Sequence, residues 1–128
     1  MSQPFVELAI EDFTSILVMM MPYRWEELYI GYFIAEKEEK LQIYLKQVNR
    51  TGYLDAYVLA QEDKYLANNL KRIEDRFREV RKCSWKHYDC WYRLTISVNE
   101  DIEINYHLDY NPLERIADYP FEEWKKTV

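Results

Sequence analysis

The strongest constraint on how this chain folds is a change of hydrophobic period at Pro22. Before it, Phe5, Leu8, Ala9, Phe13, Ile16, Leu17 and Met20 recur at helical spacing, and Pro4 suits a first turn. A first helix from about Pro4 to Met21 is therefore expected. Beyond Pro22 the period is two: Leu28, Ile30, Tyr32 and Ile34 alternate with Tyr29, Gly31 and Phe33. After the charged turn Glu36 to Lys40, Leu41, Ile43 and Leu45 alternate with Gln42, Tyr44 and Lys46. A helical stripe laid on a pleated strand would turn part of its apolar set to water, so the second stretch is a β-hairpin.

The same two periods alternate through the rest of the chain. Asn49 to Gly52 is a turn signal, and Tyr53 to Leu59 is expected as a third strand. From Asp63 to Lys82, Leu66, Leu70, Ile73, Phe77 and Val80 recur every three or four residues, with Lys71, Arg72, Glu74, Asp75, Arg78 and Glu79 on the solvent side, giving a long second helix. Trp91 to Val98 and Ile102 to Tyr110 then alternate around the turn Asn99-Glu100-Asp101 as a second hairpin, whose inner face is Tyr92, Leu94, Ile96, Val98, Ile102, Ile104, Tyr106 and Leu108. Asn111-Pro112 ends that strand, and Leu113 to Lys126 reads as a short terminal helix interrupted at Pro120.

Together these elements predict one α+β domain over residues 1–128, with a single mostly antiparallel sheet of about five strands, helices packed on one face, and the order α-β-β-β-α-β-β-α. The opposite face is expected to carry Tyr29, Phe33, Tyr44, Trp91, Arg93, Thr95, Glu103, Asn105, His107 and Asp109. Tyr, Trp and Arg on one surface are the residues enriched in the cores of protein interfaces.

Charge narrows the function further. With 23 acidic against 17 basic residues and a formal net charge of −6, the chain lacks the basic stripe that phosphate backbones reward, and no nucleic-acid partner is expected. The same absence argues against base stacking on the 12 tyrosines and 4 tryptophans. The longest apolar run, Ile16 to Met21, is far short of the roughly 20 residues of a membrane span, and Glu7, Glu11 and Asp12 do not suit a signal peptide. A cytoplasmic protein without a membrane partner, with Cys83 and Cys90 as free thiols, is expected.

Few residues could do chemistry. Cys83, His87 and Cys90 stand at C-x3-H-x2-C spacing, which a zinc ion would suit, but a fourth ligand is missing nearby and His107 is the only other histidine. Asp101, Glu103 and Asp109 lie at alternate strand positions, as a metal-dependent hydrolase could use them, yet no Lys or His at matching spacing accompanies them. Neither a phosphate-binding glycine loop nor a nucleophile elbow is present. No catalytic residue, metal or cofactor is expected; a small zinc-structured regulator or metal-dependent enzyme built on Cys83, His87 and Cys90 is the alternative.

The segment Met20-Met21-Pro22-Tyr23-Arg24-Trp25-Glu26-Glu27-Leu28-Tyr29 resembles the YezG/EsaG-type family of bacterial antitoxin or immunity proteins, whose first helix ends in an apolar-Pro-x-x-Trp-Glu sequence leading into the first strand. The long amphipathic helix, Trp91 at the opening of the fourth strand, Asp109-Tyr110 at a strand end and the step Pro112 to Arg115 are similar to that family's second half. The resemblance implies an immunity protein that neutralises a cognate toxin, commonly a nuclease delivered by a specialised secretion or contact-dependent system, by binding it in the producing cell. It implies no catalytic residues, and for Pro22, Trp25, Trp91 and Pro112 it implies packing and chain direction.

A nuclease holds its substrate in a basic groove, so carboxylates are the groups expected to stand in for phosphates. The candidates are Glu36, Glu38, Glu39, Glu100, Asp101, Glu103 and Asp109, with Tyr44 and Trp91 as aromatic anchors.

Overall fold

A computed structural model describes residues 4–21 and 24–128, apart from the side chains of Pro4, Phe5 and Met20. Pro22 and Tyr23, in the middle of the family-like segment, lie outside the described residues. The chain forms two compact units, each assembled from separate stretches: residues 4–21 with 57–90, and residues 24–56 with 91–128.

The first unit is helical. α1 (Pro4–Met20) and α3 (Lys64–Lys86) stack Phe13 on Phe77 with ring centroids 4.1 Å apart, and Arg76 pairs with Asp12 beside them. Of the residues its periodicity selects in α3, Leu66, Leu70, Ile73 and Phe77 are buried and Val80 is half-buried, while Ser84 is buried in addition. Asp63 caps its start, its side chain accepting a hydrogen bond from the Leu66 N–H at 3.1 Å and so satisfying one of the first-turn donors. In α1 the buried stripe is rotated from the expected one: Val6, Ile10, Phe13 and Leu17 are buried, whereas Leu8 is 67% exposed. Glu7, Glu11, Asp12 and Ser15 mark the outer side of the helix, and at 100° per residue Leu8 falls among them while Val6, Ile10, Phe13 and Leu17 lie opposite. Among the described residues no helix is long and apolar enough to cross a membrane.

The second unit is an open antiparallel sheet of five strands in the order β3-β2-β1-β4-β5. β1 (Trp25–Ile34) and β2 (Glu39–Gln47) form the first hairpin, and β4 (Arg93–Asn99) and β5 (Ile104–Asp109) the second. β1 joins the hairpins by pairing with β4, Leu28 opposite Val98 and Phe33 opposite Arg93. The α+β class and the two hairpins are as expected. The third strand is not: β3 covers only Leu54–Asp55, and the chain turns at once into the short helix α2 (Ala56–Leu59). Ala56 suits a helix better than a strand, and the helix forms there despite the strand preference of Tyr57 and Val58.

One face of the sheet carries Leu28, Ile30, Tyr32, Ile43, Leu45, Leu94, Ile96 and Val98, each at most 2% exposed. The other face is expected to be open; the C-terminal segment closes it over β1, β2 and β4, while Asn105 and His107 on β5 stay exposed. Pro120 splits the expected terminal helix into a 3-10 turn at Ile116–Asp118, the one-turn α4 (Phe121–Trp124) and a second 3-10 turn at Lys125–Thr127. This broken segment lies across the sheet, burying Phe33, Ala35, Ile116 and Trp124 in one cluster edged by Tyr29, Tyr44, Leu113, Tyr119 and Phe121.

Gly31 makes the closure possible. A Cβ there would stand 2.4 Å from Phe33 Cε2 and 3.1 Å from Trp124 Cζ2, so the Phe33 and Trp124 rings settle over a bare stretch of strand. Trp124 also donates from Nε1 to Gln42 Oε1 at 3.2 Å, which satisfies its polar edge.

Trp124→Ala should cost about 3–5 kcal/mol by cavity formation, and Gly31→Ala about 1–3 kcal/mol by overpacking. Trp91, fully buried, should behave like Trp124, and the half-buried Trp25 should cost clearly less. Urea melts of the four variants check this; a Gly31→Ala melt superimposable on the parent would show that the rings do not need the gap.

Candidate functional site

The strand register decides which acidic candidates can act together. β1 ends at Ile34 and β2 begins at Glu39, so Glu36, Glu38 and Glu39 crowd the first hairpin's turn. β4 pairs antiparallel with β1, Phe33 opposite Arg93 and Glu27 opposite Asn99, and therefore carries the second hairpin's turn to the far end of the sheet. Asp109, opposite Arg93, returns to the first end. The six strand steps from Glu27 to Phe33 span about 20 Å, so the candidates form two groups rather than one.

At the first end, the turn is held by the chain's last quarter. Ala35 bridges to Leu113, and Glu38 Oε1 accepts a hydrogen bond from the Ile116 N–H at 2.8 Å. Glu39 Oε2 accepts from the Tyr32 hydroxyl at 2.9 Å. An open depression of about 500 Å³ lies here, lined by Glu36, Lys37, Glu38, Glu114, Arg115 and Ala117. Its charge is mixed, and Arg115 is turned to Asp118 through Nε and Nη2 at 3.2 and 3.0 Å. Sequence alone missed Glu114 and Arg115 because nothing local brings residues 113–118 to the first turn; the bridge from Ala35 to Leu113 does.

Asp109 is tied down beside them. It pairs with Arg93, whose guanidinium lies over the Tyr119 ring at 4.5 Å, and its other oxygen accepts from the Asn111 N–H at 2.8 Å. Burial raises the Asp109 pKa, but the hydrogen bonds from Arg93 and Asn111 together with the Arg93 charge outweigh it and hold the carboxyl below its ordinary value. Asp109 is therefore a structural member of this end, less available to a partner than Glu36.

The second end is simpler. Glu100, Asp101 and Glu103 are all exposed. The Asn99 side-chain oxygen accepts from the Asp101 and Glu103 N–H groups at 3.0 and 2.9 Å, which fixes the turn from within. Between them Ile102 has φ 61 and is 47% exposed, a left-handed conformation that disfavours β-branched side chains.

Neither aromatic candidate is an exposed anchor: Trp91 is buried and Tyr44 half-buried. Trp91 is fully buried and meets Tyr32 edge-on at 6.1 Å, on the sheet's apolar face, since it precedes the β4 ladder and escapes its alternation. Tyr44 stacks on Phe121 at 4.1 Å, and burial raises its pKa, with the Asp55 charge second. Tyr29 and Tyr53 flank Phe121, and burial with Glu27 nearby raises both phenols.

Cys83 lies in the last turns of α3, His87 caps that helix, and Cys90 follows, both thiols unbridged and half-buried. The His87 ring Nδ1 lies 2.9 Å from the Cys83 carbonyl oxygen. Among the described residues no group of three or more His, Cys, Asp and Glu side chains converges on a position that could hold a metal.

Set against known protein families and curated proteins, the chain matches none of them.

Because the Asp109 carboxyl titrates lower folded than unfolded, its pairing stabilises fully above the unfolded carboxylate value and is lost as pH falls through the folded one. Asp109→Asn should cost about 1–3 kcal/mol near pH 7 and converge with the parent near about pH 2. Thermal melts at both pH values check it, and an equal deficit at both would show that charge is not the cause.

Proposed function

We propose that this chain is an immunity protein that binds and neutralises a cognate secreted or contact-dependent toxin, a nuclease with a basic substrate groove, through protein–protein contact and without chemistry of its own. One observation carries the proposal: with the sheet's aromatic cluster covered by the C-terminal segment, the exposed chemistry at its hairpin turns is rich in carboxylates, Glu36, Glu38 and Glu39 interleaved with Lys37 and Lys40 at one end and the uniformly acidic Glu100, Asp101 and Glu103 at the other. The resemblance to the YezG/EsaG-type family supports the same assignment, as does the net charge of −6. Acidic groups on short turns speed capture of a basic partner, up to about 10⁸ M⁻¹s⁻¹ or more at low salt, and lose little entropy on docking. A cytoplasmic location follows from the proposed role, because the toxin threatens the producing cell from within.

Copurification with the C-terminal toxin domain encoded in a neighbouring reading frame tests the partner. Single charge reversals at the six carboxylates, measured by calorimetry, should then weaken binding at one end of the sheet by about 2–5 kcal/mol, while reversals at the other end alter mainly association rate and salt dependence. Six variants that all bind within a factor of a few of the parent would contradict the assignment. The purified protein should show no turnover of RNA, DNA or small phosphoesters; activity that follows it through purification and disappears in Asp101→Asn or Glu103→Gln would overturn the non-enzymatic reading.

A further inference from the structure

The two edges of the sheet are built differently. One is β3, two residues long, and edges that short offer little to pair with. The other is β5, six residues that pair with β4 in unbroken register and stand last in the strand order. Proteins usually guard such an edge with Lys, Pro, a bulge or a short length, because it templates pairing with another chain. The β5 sequence Ile-Asn-Tyr-His-Leu-Asp contains none of these guards.

The backbone and side chains of β5 both point to an incoming strand. The Asn99 N–H donates to the Glu103 carbonyl, and antiparallel alternation from that pair turns the N–H and C=O groups of Ile104 and Leu108 outward. Leu94, Ile96 and Val98 of β4 are at most 2% exposed, yet their register partners on β5 are only partly covered, Tyr106 at 36%. Just beyond the ends of the strand, Ile102 and Tyr110 are 47% and 49% exposed. An apolar row thus runs out to the edge, where Ile104, Tyr106 and Leu108 stay partly exposed.

Charge chooses the occupant. The stretch from Thr95 to Tyr110 contains no Lys or Arg, and Glu100, Asp101 and Glu103 stand exposed where β5 begins, whereas Asp109 at its finish is matched by Arg93. A second copy pairing antiparallel about Tyr106 would bring each Glu103 opposite the other copy's Asp109, and like charges directly opposite destabilise a sheet. A strand with basic residues meets no such penalty.

We propose that the β5 edge takes up an extended segment of the partner as a sixth strand, with apolar side chains at alternate positions and Lys or Arg facing Glu100, Asp101 and Glu103. That the segment belongs to a toxin rests on the immunity-protein proposal; the edge chemistry stands without it.

The test titrates isotope-labelled protein with the capped synthetic peptide Lys-Thr-Val-Thr-Val-Thr-Lys and with the same peptide carrying Glu for Lys, following backbone amides by NMR. The Lys peptide should shift and slow exchange of the amides of Ile104 to Leu108, and the Glu peptide should bind about tenfold or more weakly. Asp101→Lys combined with Glu103→Lys, both at exposed turn positions, should reverse that preference, and N-methylation of alternate peptide amides should abolish binding. Shifts centred elsewhere, equal binding of both peptides, or slowing that follows protein concentration without peptide would overturn the proposal. A toxin captured in copurification whose affinity ignores the double reversal, with β5 silent to peptide, removes the edge model and leaves the immunity-protein proposal standing. Peptide binding at β5 with no toxin captured does the reverse.

Discussion

The sheet depends on the seating of Trp124 and Phe33 over Gly31. A five-stranded sheet has two faces to keep from water, and here one of them is covered by nothing more regular than a single helical turn between two 3-10 turns. So short a cover holds through aromatic area rather than helical cooperativity. Phe121 stacks on Tyr44, Tyr119 meets Phe33 edge-on at 5.9 Å, and Trp124 meets Phe33 at 5.4 Å. The bare backbone at Gly31 lets those rings approach closely.

Closure of that face determines what the sheet can offer to a partner. Rings that could have formed a flat hydrophobic interface are occupied within the chain, and the surface chemistry moves to the hairpin turns and to the β5 edge. The antiparallel pairing of β1 with β4 then places the two turns at opposite ends of the sheet, where one is interleaved with Lys37 and Arg115 and the other is uniformly acidic. A single basic groove would meet one end or the other.

Much of this was legible in the sequence, and the limits have physical causes. Period-two alternation locates both hairpins, and the buried stripe of α3 follows its spacing from Leu66 to Phe77, because each pattern is local and strongly one-sided. The fate of the second face was hidden, since alternation tells which side chains share a face but not what covers it, and Pro120 breaks the covering segment into pieces too short to show a period. Trp91 leaves the face that alternation assigns to it because the β4 ladder begins two residues later, at Arg93. The acidic candidates were found as residue types, but their division between two ends needed the register of β1 against β4, a pairing between strands some 60 residues apart that no local signal encodes.

Hydrogen exchange, read by mass spectrometry on the free protein and on its complex with any toxin domain that copurification yields, decides between the β5 edge and the aromatic face as the binding surface. The account predicts slowed exchange across residues 99–109 on complex formation, with residues 119–127 unchanged because that segment stays on the sheet in both states. Protection centred on residues 119–127, or faster exchange there as the segment leaves the sheet, would contradict it and return the aromatic face to the role of binding surface.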